Sequence, residues 1–218
     1  CDWSSPEAAI SAAVSPVSTA AGIVDNRAEF QWQLELAPGE TKHLQVDVLS
    51  ERAPLFSPPT SNPIAGRFEV AARDLRLGAF VDQSLADLRN LVISDPLNPA
   101  DAFLAAGSPW FFTLFGRDSI WAARMLMPLG TDLAYGTLRT LARRQGKKHV
   151  IETGEAPGKI MHETRKGEMV ALSELPFGRY YGGVDTTPLY IHLACAYADR
   201  TGDTAFIDTL WPSLCAAA

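Results

Sequence analysis

The stretch Trp110-Phe111-Phe112-Thr113-Leu114-Phe115-Gly116-Arg117-Asp118-Ser119-Ile120-Trp121 decides how this chain is read. It sets five aromatic rings around a Gly-Arg-Asp-Ser tetrapeptide, at a point where irregular sequence gives way to a helical pattern. Aromatic faces pack on the C–H faces of a sugar, and a neighbouring guanidinium and carboxylate offer vicinal hydroxyls a donor and an acceptor. Read locally, the same residues also suit Asp118 as a helix N-cap, Arg117 as its surface neighbour and the rings as core.

Downstream the spacing is helical. Ser119 to Leu129 is strongly apolar through Ile120, Trp121, Met125 and Leu126, and burial of Trp121 and Leu126 is expected. Thr131 or Asp132 caps a further helix with Leu133, Leu138 and Leu141, closed by Gly146. Residues 147–183 read as a long polar loop, of the kind that carries function. Another helix opens at Thr187-Pro188, with the hydroxyl as cap, and runs through Leu189, Leu193 and Tyr197 to Gly202; Asp203 starts the next.

Upstream, Phe80, Leu85, Leu88, Leu91 and Val92 form one apolar helical stripe, stopped by Asp95-Pro96. Before that the period is two. Phe30, Trp32, Leu34 and Leu36 alternate with polar residues, Pro38-Gly39 is turn chemistry, and Leu44, Val46 and Val48 alternate again. The pattern predicts a hairpin or two adjacent antiparallel strands. Residues 51–66 are proline-rich and read as a linker or long loop, while 68–77 fit either a last strand or a connector. The fold class is therefore α+β: residues 1–70 end an antiparallel β domain, and 71–218 form helical hairpins. Helices apolar on more than one face (the second and fourth) suit an inner layer, and the first and third an outer one.

A net charge of -6 and a pI near 5.2 argue against nucleic-acid partners, which call for a basic face. No apolar run approaches the roughly 20 residues of a membrane span, and no signal peptide is visible. Cys1, Cys195 and Cys215 suit free thiols in a reducing, cytoplasmic setting, with Cys195 read as a small buried hydrophobe. His43, His149, His162 and His192 are scattered without metal-ligand spacing. No phosphate-cradling glycine loop is present, so neither metal nor cofactor is expected. Ser119 and Cys195 lack a base and an orienting partner for nucleophilic chemistry. The absence of an initiator Met, and an end inside a helical pattern, read as a piece of a longer enzyme.

Three loop segments concentrate the chemistry: Trp110–Ser119, then Pro157–Arg165 with His162 and Glu163, then Tyr180–Pro188 with Tyr181 and Asp185. Phe115-Gly116-Arg117-Asp118-Ser119, Gly158-Lys159-Ile160-Met161-His162-Glu163 and Tyr181-Gly182-Gly183-Val184-Asp185-Thr186-Thr187-Pro188-Leu189, in this order, resemble the bacterial amylo-α-1,6-glucosidase or glycogen-debranching family. That resemblance implies the end of a β-sandwich domain followed by the first hairpins of an (α/α)6 toroid with a sugar-binding pit. It also implies inverting hydrolysis of α-glucans at α-1,6 stubs, with Arg117 and Asp118 clamping the terminal glucose. Trp110, Phe115, His162, Glu163, Tyr181 and Asp185 complete the candidate substrate-binding set.

The implied acid and base stand about 6.5–9.5 Å apart in inverting enzymes and are expected beyond residue 218, leaving this piece alone inactive. Within it, Glu163 and Asp185 are the only stand-ins. Glu163 is expected in a salt bridge to Arg165 or Lys159, and Asp185 at a helix N-terminus or a sugar hydroxyl. Competing readings are a mannosylglycerate- or trehalase-type hydrolase on the same toroid, and a non-catalytic carbohydrate-binding protein. The linkage cleaved and the oligomeric state are not readable from these residues.

Overall fold

The computed structural model describes residues 2–5, 8–15, 18, 20–24, 27–50, 55–64, 66, 70–71 and 73–218. It is a mixed α+β chain of short antiparallel strands and six helices, dividing into two compact units, Cys1–Pro54 and Leu55–Ala218.

In the first unit, β1 (Asp2–Ser5), β2 (Ala8–Ser15) and β5 (Gln45–Ser50) form one antiparallel sheet with β2 central, and β3 (Ala20–Val24) pairs with β4 (Arg27–Gln31). The period-two stretches are therefore not partners of each other. A turn does form at Ala37–Glu40, where Glu40 N–H donates to Ala37 O at 3.0 Å and Gly39 takes φ 80°. Its flanks diverge because each pairs with an earlier strand: Val46 stands opposite Val14, and Phe30 opposite Ala21. Turn chemistry settles the reversal, not the pairing.

The second unit is built on α1 (Leu75–Asn90), β6 (Val92–Asp95), β7 (Asn98–Leu104), α2 (Gly116–Leu126), α3 (Asp132–Arg143), the single turn α4 (Glu168–Ala171), α5 (Thr186–Thr201) and α6 (Thr204–Ala217). The proline-rich stretch enters it as a packed loop. Phe56 and Ile64 are core residues, Ser57 bridges Ser94, and the Phe56 ring meets Phe103 edge-on at 5.1 Å.

The apolar stripe expected to run to Asp95 stops at Asn90. Val92 and Ile93 are β-branched and turn instead into a β6–β7 hairpin that buries Val92, Ile93, Phe103 and Leu104. Phe80, from the same stripe, stays exposed. The hairpin lies against α3 at very close range: a Cβ on Gly136 would run into the backbone of Ala102.

Helix α3 is the most enclosed, burying Leu133, Ala134, Leu138 and Leu141, so the expected ranking of inner and outer helices does not hold. Helix α2 buries Ile120 and Ala123 and half-buries Leu126, but leaves Trp121 46% and Met125 74% exposed. A stripe apolar on several faces cannot say which face finds a neighbour. Cys195, expected inside, is exposed on α5, and Cys215 is exposed on α6; both are free thiols. Helix α5 ends at Gly202 in the left-handed conformation, φ 67°, as its sequence predicts. Asp203 caps α6 by accepting from Phe206 N–H at 3.0 Å. Among the described residues no helix is long and apolar enough to cross a membrane.

Candidate functional site

Backbone pairing brings the three chemistry-rich segments side by side. Phe115 bridges Glu163, and Glu163 bridges Tyr180, both antiparallel. Gly116 N–H donates to His162 O and His162 N–H to Tyr180 O, each at 2.7 Å, while Thr164 N–H reaches Leu114 O at 3.2 Å. The approach depends on Gly116, because a Cβ there would run into Met161 O and the methyl of Thr186. The motifs thus meet at the N-terminal ends of α2 and α5.

At that meeting point Arg117 grips Asp185 with both arms of its fork, Nε to Oδ2 at 2.5 Å and Nη2 to Oδ1 at 2.9 Å. The pair holds the Asp185 carboxyl below its ordinary value and pushes the Arg117 guanidinium above its own. His162 is near enough for its charge to lower Asp185 as well, a lesser effect. Both side chains of the pair remain partly open, 45% for Arg117 and 39% for Asp185.

Asp118 is exposed in the first turn of α2, and its side chain makes no hydrogen bond or ion pair among the described residues, although its charge is felt by Arg117. It is not the cap, since the capping position falls on Phe115. Its carboxylate therefore faces solvent beside a guanidinium held by another acid, an open acceptor next to a partly occupied donor.

The remaining candidates divide. His162 is half-buried at the seam, its ring edge-on to Phe115 and Tyr180. Trp110 is 80% exposed on the loop before α2. Phe115 is buried, edge-on to Phe111. Glu163 is buried and takes its expected ion pair with Arg165, Nε to Oε2 at 2.9 Å, while Lys159 donates to Gly154 O instead. Tyr181 is buried and donates its hydroxyl to Arg144 O at 2.7 Å; burial raises its pKa. Arg117, Asp118, Asp185 and the edge of His162 are thus brought together at a surface, whereas Phe115, Glu163 and Tyr181 face inward and support it.

Two structural roles escape sequence reading. Arg165 sits over the rings of Phe111 and Phe115 at 5.4 Å and of Phe177 at 5.8 Å, stitching the aromatic loop to the long loop by cation–π contact. Thr187 does not cap its own helix; its hydroxyl accepts from Ile160 N–H at 3.0 Å and so ties the second segment to α5. The one signal for this tie was the Thr-Thr-Pro run itself, which fits a cap equally well. Ser119, weighed as a nucleophile, is buried and donates to Leu104 O at 2.7 Å.

Among the described residues no group of three or more acids, histidines or cysteines could hold a metal ion. Separate grooves lie on the helical flank, one lined by Arg124, His192, Cys195 and Asp199 and one wholly apolar beside Trp211, and neither includes a site residue. Comparison with protein-family models and with curated proteins returns no significant match.

Proposed function

We propose that this chain carries the glucose-gathering part of an inverting glycoside hydrolase of α-glucans, acting at α-1,6 stubs, on a β-sandwich followed by an (α/α)6 toroid. The observation that carries this reading is the convergence of three motif segments on an open Arg117–Asp185 pair with Asp118 beside it, although Arg117 and Asp185 are 68 residues apart in sequence. A terminal sugar presents vicinal hydroxyls that donate to one partner and accept from another. Asp118 accepts a hydrogen bond from a sugar hydroxyl, Arg117 offers its remaining N–H groups, and His162 adds a third contact at the seam. Trp110, exposed nearby in sequence, supplies an apolar face on which a pyranose ring stacks.

Binding and cleavage separate here. Glu163 is buried in an ion pair with Arg165, and Arg117 holds the Asp185 carboxyl below its ordinary value, where a general acid calls for a raised one. We therefore expect these residues to bind a glucan end without hydrolysing it.

The test is titration of the 218-residue chain with maltotriose and with an α-1,6-branched maltooligosaccharide, followed by heteronuclear NMR and by product analysis. Saturable shifts at Arg117, Asp118 and His162 without product formation support the reading. No binding of either sugar refutes it, and turnover by the pure chain refutes the division between binding and cleavage.

A further inference from the structure

Thr186, at the start of α5, is fully buried and is the point on which all three motifs close. Its methyl carbon lies 2.5 Å from the position a Cβ on Gly116 would take. Its hydroxyl faces the other way, 2.7 Å from the position a Cβ on Gly183 would take, and His162 Nδ1 lies 2.9 Å from that same point. The two glycines thus lock the threonine between them, and its hydroxyl and the imidazole nitrogen both border Gly183. Both polar atoms are sealed from solvent, and neither has a hydrogen-bond partner among the described residues.

Two orphaned polar atoms bordering the same glycine are costly apart and stabilised once linked by a hydrogen bond. The direction of a bond between them follows from counting protons. If the threonine O–H donates to Nδ1, the hydroxyl proton and the ring lone pair are satisfied at once. If instead Nδ1 carried a proton and donated to the hydroxyl oxygen, the hydroxyl proton would be left buried without an acceptor, the rarer and costlier defect. A ring nitrogen that accepts leaves the proton on the other nitrogen.

His162 keeps partial exposure although Nδ1 is sealed, and its backbone N–H and C=O are both used in the seam. Its open edge is therefore the Nε2 side.

We propose that Thr186 is a positioning residue for His162: its hydroxyl, through one bridging water or after a small turn of either side chain, donates to Nδ1 and holds the ring as the Nε2–H tautomer, presenting one fixed donor beside Arg117, Asp118 and Asp185. The ligand that this donor meets, a sugar hydroxyl, rests on the function proposed above; the tautomer does not.

The tautomer is read by long-range nitrogen–proton correlation on the 218-residue chain with labelled histidine, about two pH units above the ordinary imidazole pKa. The His162 signals are assigned by their loss in His162→Gln. In the unaltered chain the Nε2–H form is expected to dominate, with Nδ1 showing the shift of a hydrogen-bonded acceptor. Thr186→Val keeps the shape, removes the donor and should lower the tautomer ratio about fivefold, the equivalent of one ordinary hydrogen bond. Thr186→Ser should restore it.

A dominant Nδ1–H form in the unaltered chain overturns the proposal without any variant. So does a ratio unchanged by Thr186→Val. If Thr186→Val fails to fold, the unaltered chain and Thr186→Ser decide: loss of the acceptor shift in the serine variant, which keeps the hydroxyl, also overturns it. Maltotriose titration separates the two readings. Failure of the unaltered chain to bind the sugar removes the carbohydrate function and leaves the tautomer result standing; sugar binding with an unchanged tautomer ratio does the reverse.

Discussion

At the β6–β7 hairpin, Asp95 and Asp101 are sealed from solvent and met by three arginines of α3 and its end: Arg143 reaches both acids, at 2.8 and 2.6 Å, Arg144 reaches Asp95 at 2.6 Å and Arg139 lies 3.4 Å from Asp101. At the tips of α2 and α5 the same two residue types meet with both side chains more than a third exposed. The proportions are reversed as well. In the buried cluster three guanidiniums surround two carboxylates: Asp95 is hydrogen-bonded by Arg143 and Arg144, and Asp101 lies within ion-pair distance of Arg143 and Arg139 but has no hydrogen bond to its side chain among the described residues; at the open site Arg117 is bonded to Asp185, and the Asp118 carboxylate beside it is left over. The first arrangement fastens the hairpin to α3. The second keeps polar groups at a surface where a ligand can reach them. Exposure and stoichiometry, more than residue identity, separate a clamp from a site.

The largest break in that contrast is expected at Asp95. Asp95→Ala leaves the buried Arg144 charge without a carboxylate, while Arg143 keeps Asp101, and breaking a buried pair in this way costs about 3–5 kcal/mol. Urea unfolding of the second unit should register this loss as a lower midpoint at unchanged slope. A loss below about 1 kcal/mol would mean that the cluster behaves like a surface pair.

Acid should expose the same difference more gently. Burial pushes the Asp95 carboxyl up, but hydrogen bonds from Arg144, the Leu97 N–H and Arg143 together outweigh it and hold the value at about 2. The folded value lies below the unfolded one, so the stabilisation is complete above the unfolded value of about 4 and disappears as pH falls toward 2. Its size is roughly 2–3 kcal/mol. Stability measured from pH 5 downward should fall across that window in the unaltered chain and stay flatter there in Asp95→Asn, which has no proton to gain.

Asp118→Asn sharpens the contrast from the other side. The residue is exposed and has no partner to lose, so unfolding should change by less than about 0.5 kcal/mol. If Asp118 accepts a sugar hydroxyl, turning one acceptor oxygen into a donor should weaken maltotriose binding by about 1.5–3 kcal/mol, roughly tenfold to a hundredfold in Kd. Unchanged affinity would reduce Asp118 to a favourable charge in the first turn of a helix.

The clamp was the less legible of the two clusters. Leu91 and Val92 extend the apolar spacing of α1, so pattern alone carries the helix into β6 and hides the hairpin that seats Asp95 and Asp101. Helix ends with their own chemistry were readable, as at Gly202 and Asp203, because the signal is local. Pairing was not: Val46 and Phe30 have the right period but different partners, and periodicity carries no address. Burial of Trp121 failed for the same reason, since the helix offers several apolar faces and only tertiary neighbours choose among them. The three loop segments could be singled out by composition, yet the Arg117–Asp185 grip and the place of Thr186 between two glycines depend on a seam that no single segment encodes.

Among the ion pairs the smallest effect on stability is expected at Arg117–Asp185, where geometry and environment pull in opposite directions. The bidentate fork is the strong form of the contact, and it shifts both partners toward their charged states. Water reaches both side chains, however, and an exposed pair contributes only about 0.2–1 kcal/mol. Asp185→Asn should therefore lower unfolding free energy by no more than about 1 kcal/mol. That loss should shrink further near 1 M salt, where the screening length falls to about 3 Å. The buried cluster offers the control, because salt penetrates it poorly and the Asp95→Ala loss should persist under the same conditions. Arg117→Lys should resemble Asp185→Asn in stability but lose the planar grip, so its effect on maltotriose binding should exceed its effect on folding. A salt-independent loss of several kcal/mol in Asp185→Asn would place this pair with the clamp and remove it from the candidate site.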